Sequence, residues 1–240
     1  MNSRDQKDLR GIFITGTDTG VGKTLVAAGL LRVLARRGLR TVGLKPVASG
    51  AVVTPQGLRN TDAEALAAES TVPLPYELTN PHCFEPAIAP HLAAADRGIH
   101  VSVDELAAWY ARATAGAEVA VVEGAGGWRV PLHPEGFLSD LAERLALDVV
   151  LVVGLRLGCL NHARLTAEAI ERSGRCRLAG WVGSHIDPGF ERVEENVASL
   201  GRLLAAPQLA VIPALEAPSA EAASRHLENA RTGAALRIGP

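Results

Sequence analysis

Gly16-Thr17-Asp18-Thr19-Gly20-Val21-Gly22-Lys23-Thr24 is the stretch that decides how this chain is read. An apolar run at residues 11–15 precedes it. A helical pattern over residues 25–37, carrying Leu25, Val26, Leu30, Leu31, Val33 and Leu34, follows it. Strand, glycine-rich loop and helix in that order form a phosphate-binding unit. Glycines let the backbone curl so that N–H groups point at phosphate oxygens, and the helix N-terminus adds a positive field. Thr19, Gly20, Val21, Gly22, Lys23 and Thr24 are therefore the expected phosphate contacts. Lys23 neutralises the β/γ charge and the Thr24 hydroxyl is placed to ligate magnesium. The loop departs from the usual spacing, with five residues between Gly16 and Gly22 and threonine at 17, but Gly22-Lys23-Thr24 is intact.

Outward from this unit, short apolar runs recur at residues 41–44, 119–122, 149–153, 178–182 and 209–212. Helical compositions at 103–115, 161–172 and 192–204 alternate with them. That alternation predicts an α/β fold with a mostly parallel sheet covered by helices, resembling phosphate-loop nucleotide hydrolases. Residues 71–90 are proline-rich without a clean period and read as a long loop or a pair of short turns; 214–223 reads as a flexible surface loop. At 240 residues, with no linker and no internal repeat, one domain over 1–240 is expected.

The composition is 48% hydrophobic and 21% charged, with a formal net charge of -2, which is globular and leaves no basic footprint for nucleic acid or an anionic membrane. Cys83, Cys159 and Cys176 form no CxxC pair, and the first ten residues lack an apolar export core, so a reducing cytoplasm is expected.

The buried run 119–122 ends in Glu123, the arrangement that sets a carboxylate beside a phosphate loop and makes Glu123 a magnesium candidate. Asp62, within Arg59-Asn60-Thr61-Asp62, stands at the start of a helix, where it either caps that helix or reaches a metal. Asp18 reads as an Asx turn. His82, His91, His133 and His162 show no metal-ligand spacing.

Five stretches together resemble the dethiobiotin synthetase family: Gly16 to Thr24, Lys45-Pro-Val-Ala-Ser-Gly50, Arg59-Asn-Thr-Asp62, Glu123-Gly-Ala-Gly-Gly-Trp128 and Val153-Gly-Leu-Arg-Leu-Gly-Cys-Leu-Asn-His162. The resemblance implies ligation of 7,8-diaminopelargonic acid with carbon dioxide at the expense of ATP. One amine forms a carbamate, the γ-phosphoryl group passes to it, and the second amine closes a cyclic urea. Lys45 and Lys23 become the catalytic cations, and Thr19 and Ser49 become hydrogen-bond donors to the carbamate or transferring phosphate. Thr24, Asp62 and Glu123 become magnesium ligands. Ser184 and Pro213 fall at nucleotide-binding positions. The segment Gly158, Cys159, Leu160 and Asn161 would hold the substrate carboxylate in a neighbouring subunit's site, which implies a homodimer; from the residues alone it also reads as a plain helix N-cap at Asn161.

Relatives carry asparagine after the Gly-Trp-Val strand, where this chain has Ser184. One hydroxyl does not reproduce the paired donor and acceptor of an amide, so nucleoside triphosphates other than ATP also come into consideration. Two other readings share the scaffold: a nucleotide-dependent switch or partitioning ATPase, and another ligase that activates a carboxyl-type oxygen by phosphorylation. The first lacks its expected loop lysine, since residues 18–20 are Asp-Thr-Gly; the second usually carries a glutaminase domain, for which the length leaves no room.

Overall fold

The computed structural model describes residues 9–238. The first half of the chain forms β1 (Arg10–Gly16), α1 (Lys23–Arg36), β2 (Thr41–Leu44), β3 (Val47–Ser49), β4 (Val52–Thr54), β5 (Gly57–Arg59), α2 (Thr61–Glu69), α3 (Tyr76–Thr79), β6 (His82–Phe84), α4 (Pro90–Ala95) and α5 (Val103–Ala113). The second half forms β7 (Val119–Glu123), β8 (Pro131–His133), β9 (Gly136–Phe137), α6 (Leu138–Arg144), β10 (Asp148–Gly154), α7 (Cys159–Ser173), β11 (Arg177–Ser184), α8 (Val193–Leu203), β12 (Gln208–Ile212), α9 (Ala220–Leu227) and α10 (Ala230–Ala235).

Six strands make the central sheet in the order β12-β11-β10-β1-β7-β2, with every neighbouring pair parallel. Near-continuous burial of β1, β7 and β10 is what a parallel sheet covered on both faces requires. Alternate residues divide between the faces. Ile12 and Ile14 join Val26, Leu30 and Leu34 of α1, whereas Phe13 joins Leu106 and Trp109 of α5 and Leu141 of α6. Toward the β12 edge, Leu151, Val153 and Trp181 pack with Ala163 of α7 and Leu200 of α8. Each fully buried aliphatic side chain contributes about 1.5–3 kcal/mol. Gly43 in β2 marks a close approach: a Cβ there would lie 2.6 Å from Leu31 Cδ1 and 2.8 Å from Leu66 Cβ, so α1 and α2 close over bare backbone.

Three expectations need correction. Residues 71–90 are more ordered than a loop: they hold α3 and β6, and β6 pairs in parallel with β3. The flexible loop expected at 214–223 ends early, because α9 starts at Ala220 with Ser219 as its N-cap. The helix expected from Asn161 begins at Cys159, capped by Gly158 in the left-handed region, and Asn161 lies within its first turn. Among the described residues no helix is long and apolar enough to cross a membrane.

Candidate active site

Because all six strands run the same way, their C-terminal ends deliver side chains to one edge of the sheet, and β1, flanked by β10 and β7, lies at its centre. The glycine-rich loop leaves β1 and is stitched to β10: Thr17 N–H donates to Val152 O at 2.9 Å, and Gly154 N–H donates to Thr17 Oγ1 at 3.3 Å. Gly22 closes the loop at φ 91°, a conformation that favours glycine, and a Cβ there would lie 2.7 Å from Ser184 Oγ at the end of β11. Lys23 opens α1 and donates its Nζ to Asp18 O at 2.9 Å. Burial, and next the charge of Lys45, lower the Lys23 ammonium to about 8.

Lys45 follows β2 and Glu123 ends β7, so the parallel pairing of these strands sets the two side by side. Lys45 Nζ donates to Glu123 Oε1 at 2.7 Å, to Asp62 Oδ2 at 2.9 Å and to Gly124 O at 3.3 Å. Thr24 Oγ1 donates to the same Glu123 oxygen at 2.9 Å. Burial weighs against the Lys45 charge, but the two carboxylates outweigh it and hold the ammonium above its ordinary value. Burial pushes the Glu123 carboxyl up even beside Lys45. At Asp62 burial acts in the same direction, yet Lys45 prevails and draws the carboxyl below its usual range.

The sequence left Asp62 between capping and metal binding. Asn60 takes the cap, its Oδ1 accepting from Asp62 N–H at 3.1 Å and Ala63 N–H at 3.3 Å, which frees the Asp62 carboxylate for Lys45. Glu123 Oε2 is buried with no hydrogen-bond partner, an orphaned anionic oxygen beside a second carboxylate and a hydroxyl. Thr24, Asp62 and Glu123 are thus a hard oxygen donor set of the kind magnesium takes while keeping waters. Asp18 does accept its neighbour's N–H, Thr19 N to Oδ1 at 2.7 Å, but its other oxygen pairs with Arg156, which the sequence did not reveal.

A cleft of about 1140 Å³ runs along this edge. Thr19, Gly20, Gly22, Lys23 and Thr24 line it, as do Lys45, Ser49, Asp62, Glu123, Ser184 and Pro213. The buried Ser49 Oγ has no hydrogen-bond partner. The Gly124–Gly127 turn lies against the phosphate loop, where a Cβ on Gly126 would sit 3.3 Å from Thr19 Oγ1. Trp128 anchors that turn edge-on to Phe13 with ring centroids 6.0 Å apart.

Two groups of expected residues do not line the cleft with their side chains. Val21 has its side chain wholly in the hydrophobic core. Gly158, Cys159, Leu160 and Asn161 do not line this cleft; Gly158 and Asn161 are exposed at the start of α7, and Cys159 is buried beneath it. Supporting residues that motif reading missed are Asn60, Tyr76 and Asn80. Asn60 alone left a sequence signal, as a helix-capping type two positions before Asp62.

Comparison with known proteins follows the same lines. Residues 10–222 match the family described as an AAA domain. The chain is 54% identical over 219 residues to the ATP-dependent dethiobiotin synthetase BioD of Cellvibrio japonicus, covering 91% of this chain and 96% of that one. It is 52% identical over 221 residues to the protein of the same name from Pseudomonas aeruginosa, with 92% and 96% covered. The corresponding protein of Xanthomonas campestris is 49% identical over 215 residues, with 90% and 96% covered. Among solved structures, the septum site-determining protein MinD of Pyrococcus horikoshii complexed with Mg-ADP superposes with a TM-score of 0.56 at 16% identity, covering 95% of this chain and 93% of that one. A ParA family ATPase of Chlorobium tepidum gives 0.53 at 12% identity, with 95% and 99% covered. At such identities these structures share the fold alone.

Proposed function

The chain belongs to the ATP-dependent dethiobiotin synthetases, and from that premise we propose how its own residues carry out the ligation. The substrates are 7,8-diaminopelargonic acid, carbon dioxide and ATP. One amine of the diamine bonds to the carbon of carbon dioxide and loses a proton, giving a carbamate. A carbamate oxygen then attacks the γ-phosphorus and ADP leaves. The second amine attacks the carbonyl carbon, phosphate leaves, a proton is lost, and the ring is closed.

One observation carries the assignment of roles: two lysines from different elements, Lys23 opening α1 and Lys45 following β2, line one cleft with the glycine-rich loop and a buried, unpartnered Ser49 hydroxyl. The reaction presses two anions together, and these cations offset their repulsion in a site where burial strengthens every charge. Thr19 and Ser49 hydrogen-bond the carbamate and the transferring group. Gly20, Gly22 and Thr24 hold the phosphates, and the Val21 contribution is its backbone, since its side chain is in the core. Thr24, Asp62 and Glu123 would hold magnesium, which would supply neutralisation of phosphate charge. Lys45, beside these carboxylates in the same cleft, offsets charge at the carbamate.

Ser184 and Pro213 form the wall against which the base rests. The small Ser184 leaves the base less closely read than an amide would, so CTP and GTP serve alongside ATP. The α7 start, Gly158 to Asn161, completes the site of a second copy and holds the substrate carboxylate there. Supporting this are its absence from the lining of the chain's own cleft and the 92% and 57% exposure of Leu157 and Leu165 beside it. The enzyme thus works as a homodimer, in the cytoplasm.

The test is phosphate release by purified protein with magnesium, bicarbonate and the diamine, with ATP, CTP and GTP run in parallel and dethiobiotin identified by mass. Diamine-dependent product formation is expected with all three nucleotides. Hydrolysis indifferent to the diamine, with no product, would overturn the reading.

A further inference from the structure

The mechanism leaves one buried polar cluster unused, and it underlies three site residues at once. Tyr76, at the start of α3, sits between two buried asparagines. Asn80 Nδ2 donates to Lys45 O at 2.7 Å and to His82 O at 3.2 Å. With its amide nitrogen committed to two carbonyls, Asn80 turns its Oδ1 to Tyr76, so the phenol must donate there, at 3.2 Å. The same phenol oxygen accepts Asn60 N–H at 2.7 Å and lies 3.6 Å from Cys83 Sγ. Asn60 in turn caps α2 ahead of Asp62, and its Nδ2 donates to Ser49 O at 3.4 Å. The Arg59 guanidinium lies 4.1 Å over the Tyr76 ring and holds it in place.

We propose that Tyr76 is a positioning residue whose hydroxyl locks the backbone at Lys45, Ser49 and Asp62 into one mutual geometry. It touches no reacting atom. Through Asn80 it fixes the carbonyl of Lys45, and through Asn60 it fixes Ser49 and the helix end that presents Asp62. Backbone contacts reinforce the same clasp, with Lys45 N–H donating to Thr79 O at 2.8 Å and Ala51 N–H to Phe84 O at 2.9 Å. Without the phenol, Asn60 N–H loses its acceptor and Asn80 Oδ1 its donor. The lysine, the serine and the carboxylate then vary independently, which a site for two adjacent anions does not tolerate.

The catalytic part of this inference rests on the ligase reading; the coupling itself does not. Tyr76→Phe keeps the ring and its stacking and removes only the hydroxyl. Its kcat should fall about 10- to 100-fold with little change in the KM for nucleotide. Asn80→Ser should reach a similar endpoint, and the double variant should lose no more than the larger single loss. Amide hydrogen exchange should accelerate in Tyr76→Phe at both residues 45–51 and 60–66. Unchanged kcat in the folded variant, or exchange that accelerates in only one segment, overturns the proposal. Wild-type protein that forms no dethiobiotin defeats the ligase reading instead, and the exchange experiment then decides the coupling alone.

Discussion

Replacing Lys45 by methionine keeps the aliphatic stem and deletes the charge that faces two carboxylates. The Lys45 side chain is 4% exposed and that of Glu123 1%, with 2.7 Å between the charged atoms. At an effective dielectric of ~20 that separation corresponds to an attraction of about 6 kcal/mol. The arm to Asp62, whose side chain is 39% exposed, adds less because solvent screens it. Desolvation offsets part of the attraction, so leaving Glu123 buried without its partner should cost about 3–5 kcal/mol. In a chain of this size that lowers the melting temperature by roughly 6–20 °C. The pH dependence has a definite sign. Glu123 already sits above its ordinary value through burial, and without Lys45 it rises further. A carboxyl raised on folding contributes stability below its unfolded value and loses it as pH climbs through the folded one. The deficit of Lys45→Met should therefore be largest near neutrality and shrink toward about pH 5. Urea unfolding of both proteins across that range measures it, and phosphate release below the transition should show turnover reduced at least ~100-fold with nucleotide still bound. A deficit that grows on acidification, or a folded variant that retains most of its turnover, would refute the reasoning.

Glu123→Gln should raise the magnesium concentration needed for half-maximal turnover by at least about tenfold, since its unpartnered Oε2 is the buried anion of the donor set; a magnesium titration with an unchanged midpoint removes Glu123 from that role. Lys23, lowered to about 8, is charged below that value and neutral above it, so nucleotide affinity in the free enzyme should weaken as pH rises past it. Calorimetric titrations on either side of the pKa check this, and a flat profile contradicts it. Gly43→Ala should destabilise the fold by about 1–3 kcal/mol through overpacking against Leu31 and Leu66, read from its urea midpoint.

Much of this was legible in the sequence because it is local. The phosphate loop announces itself through Gly22-Lys23-Thr24 between a strand and a helix, and the strand ending in Glu123 through an unbroken apolar run. What stayed hidden depends on partners distant along the chain. Residues 71–90 showed no period because α3 is held from outside, by Trp109 Nε1 donating to Leu78 O at 2.9 Å and by Asn80 on Lys45. Helix α2 buries only Ala63 and Leu66, too thin a stripe to stand out. The 214–223 stretch looks like a loop for its prolines and small residues, yet its alanines suit α9 to α1, where a Cβ on Gly29 would meet Ala223 Cβ at 2.7 Å. The Arg156 partner of Asp18 lies 138 positions away, beyond any motif.

The strand order β10-β1-β7 also shapes how the molecule is made. A growing chain that has just completed β7 already holds the phosphate loop, Lys45, Asp62 and Glu123, and can lay β2 and β7 on one side of β1. The other side of β1 stays bare until the ribosome has delivered Asp148–Gly154. During that interval the nascent protein carries its ligand-holding groups beside an open, apolar strand edge. Such edges pair readily with foreign chains. The first edge left open during synthesis is therefore that of β1, a strand that finishes at the centre of the sheet rather than at its rim.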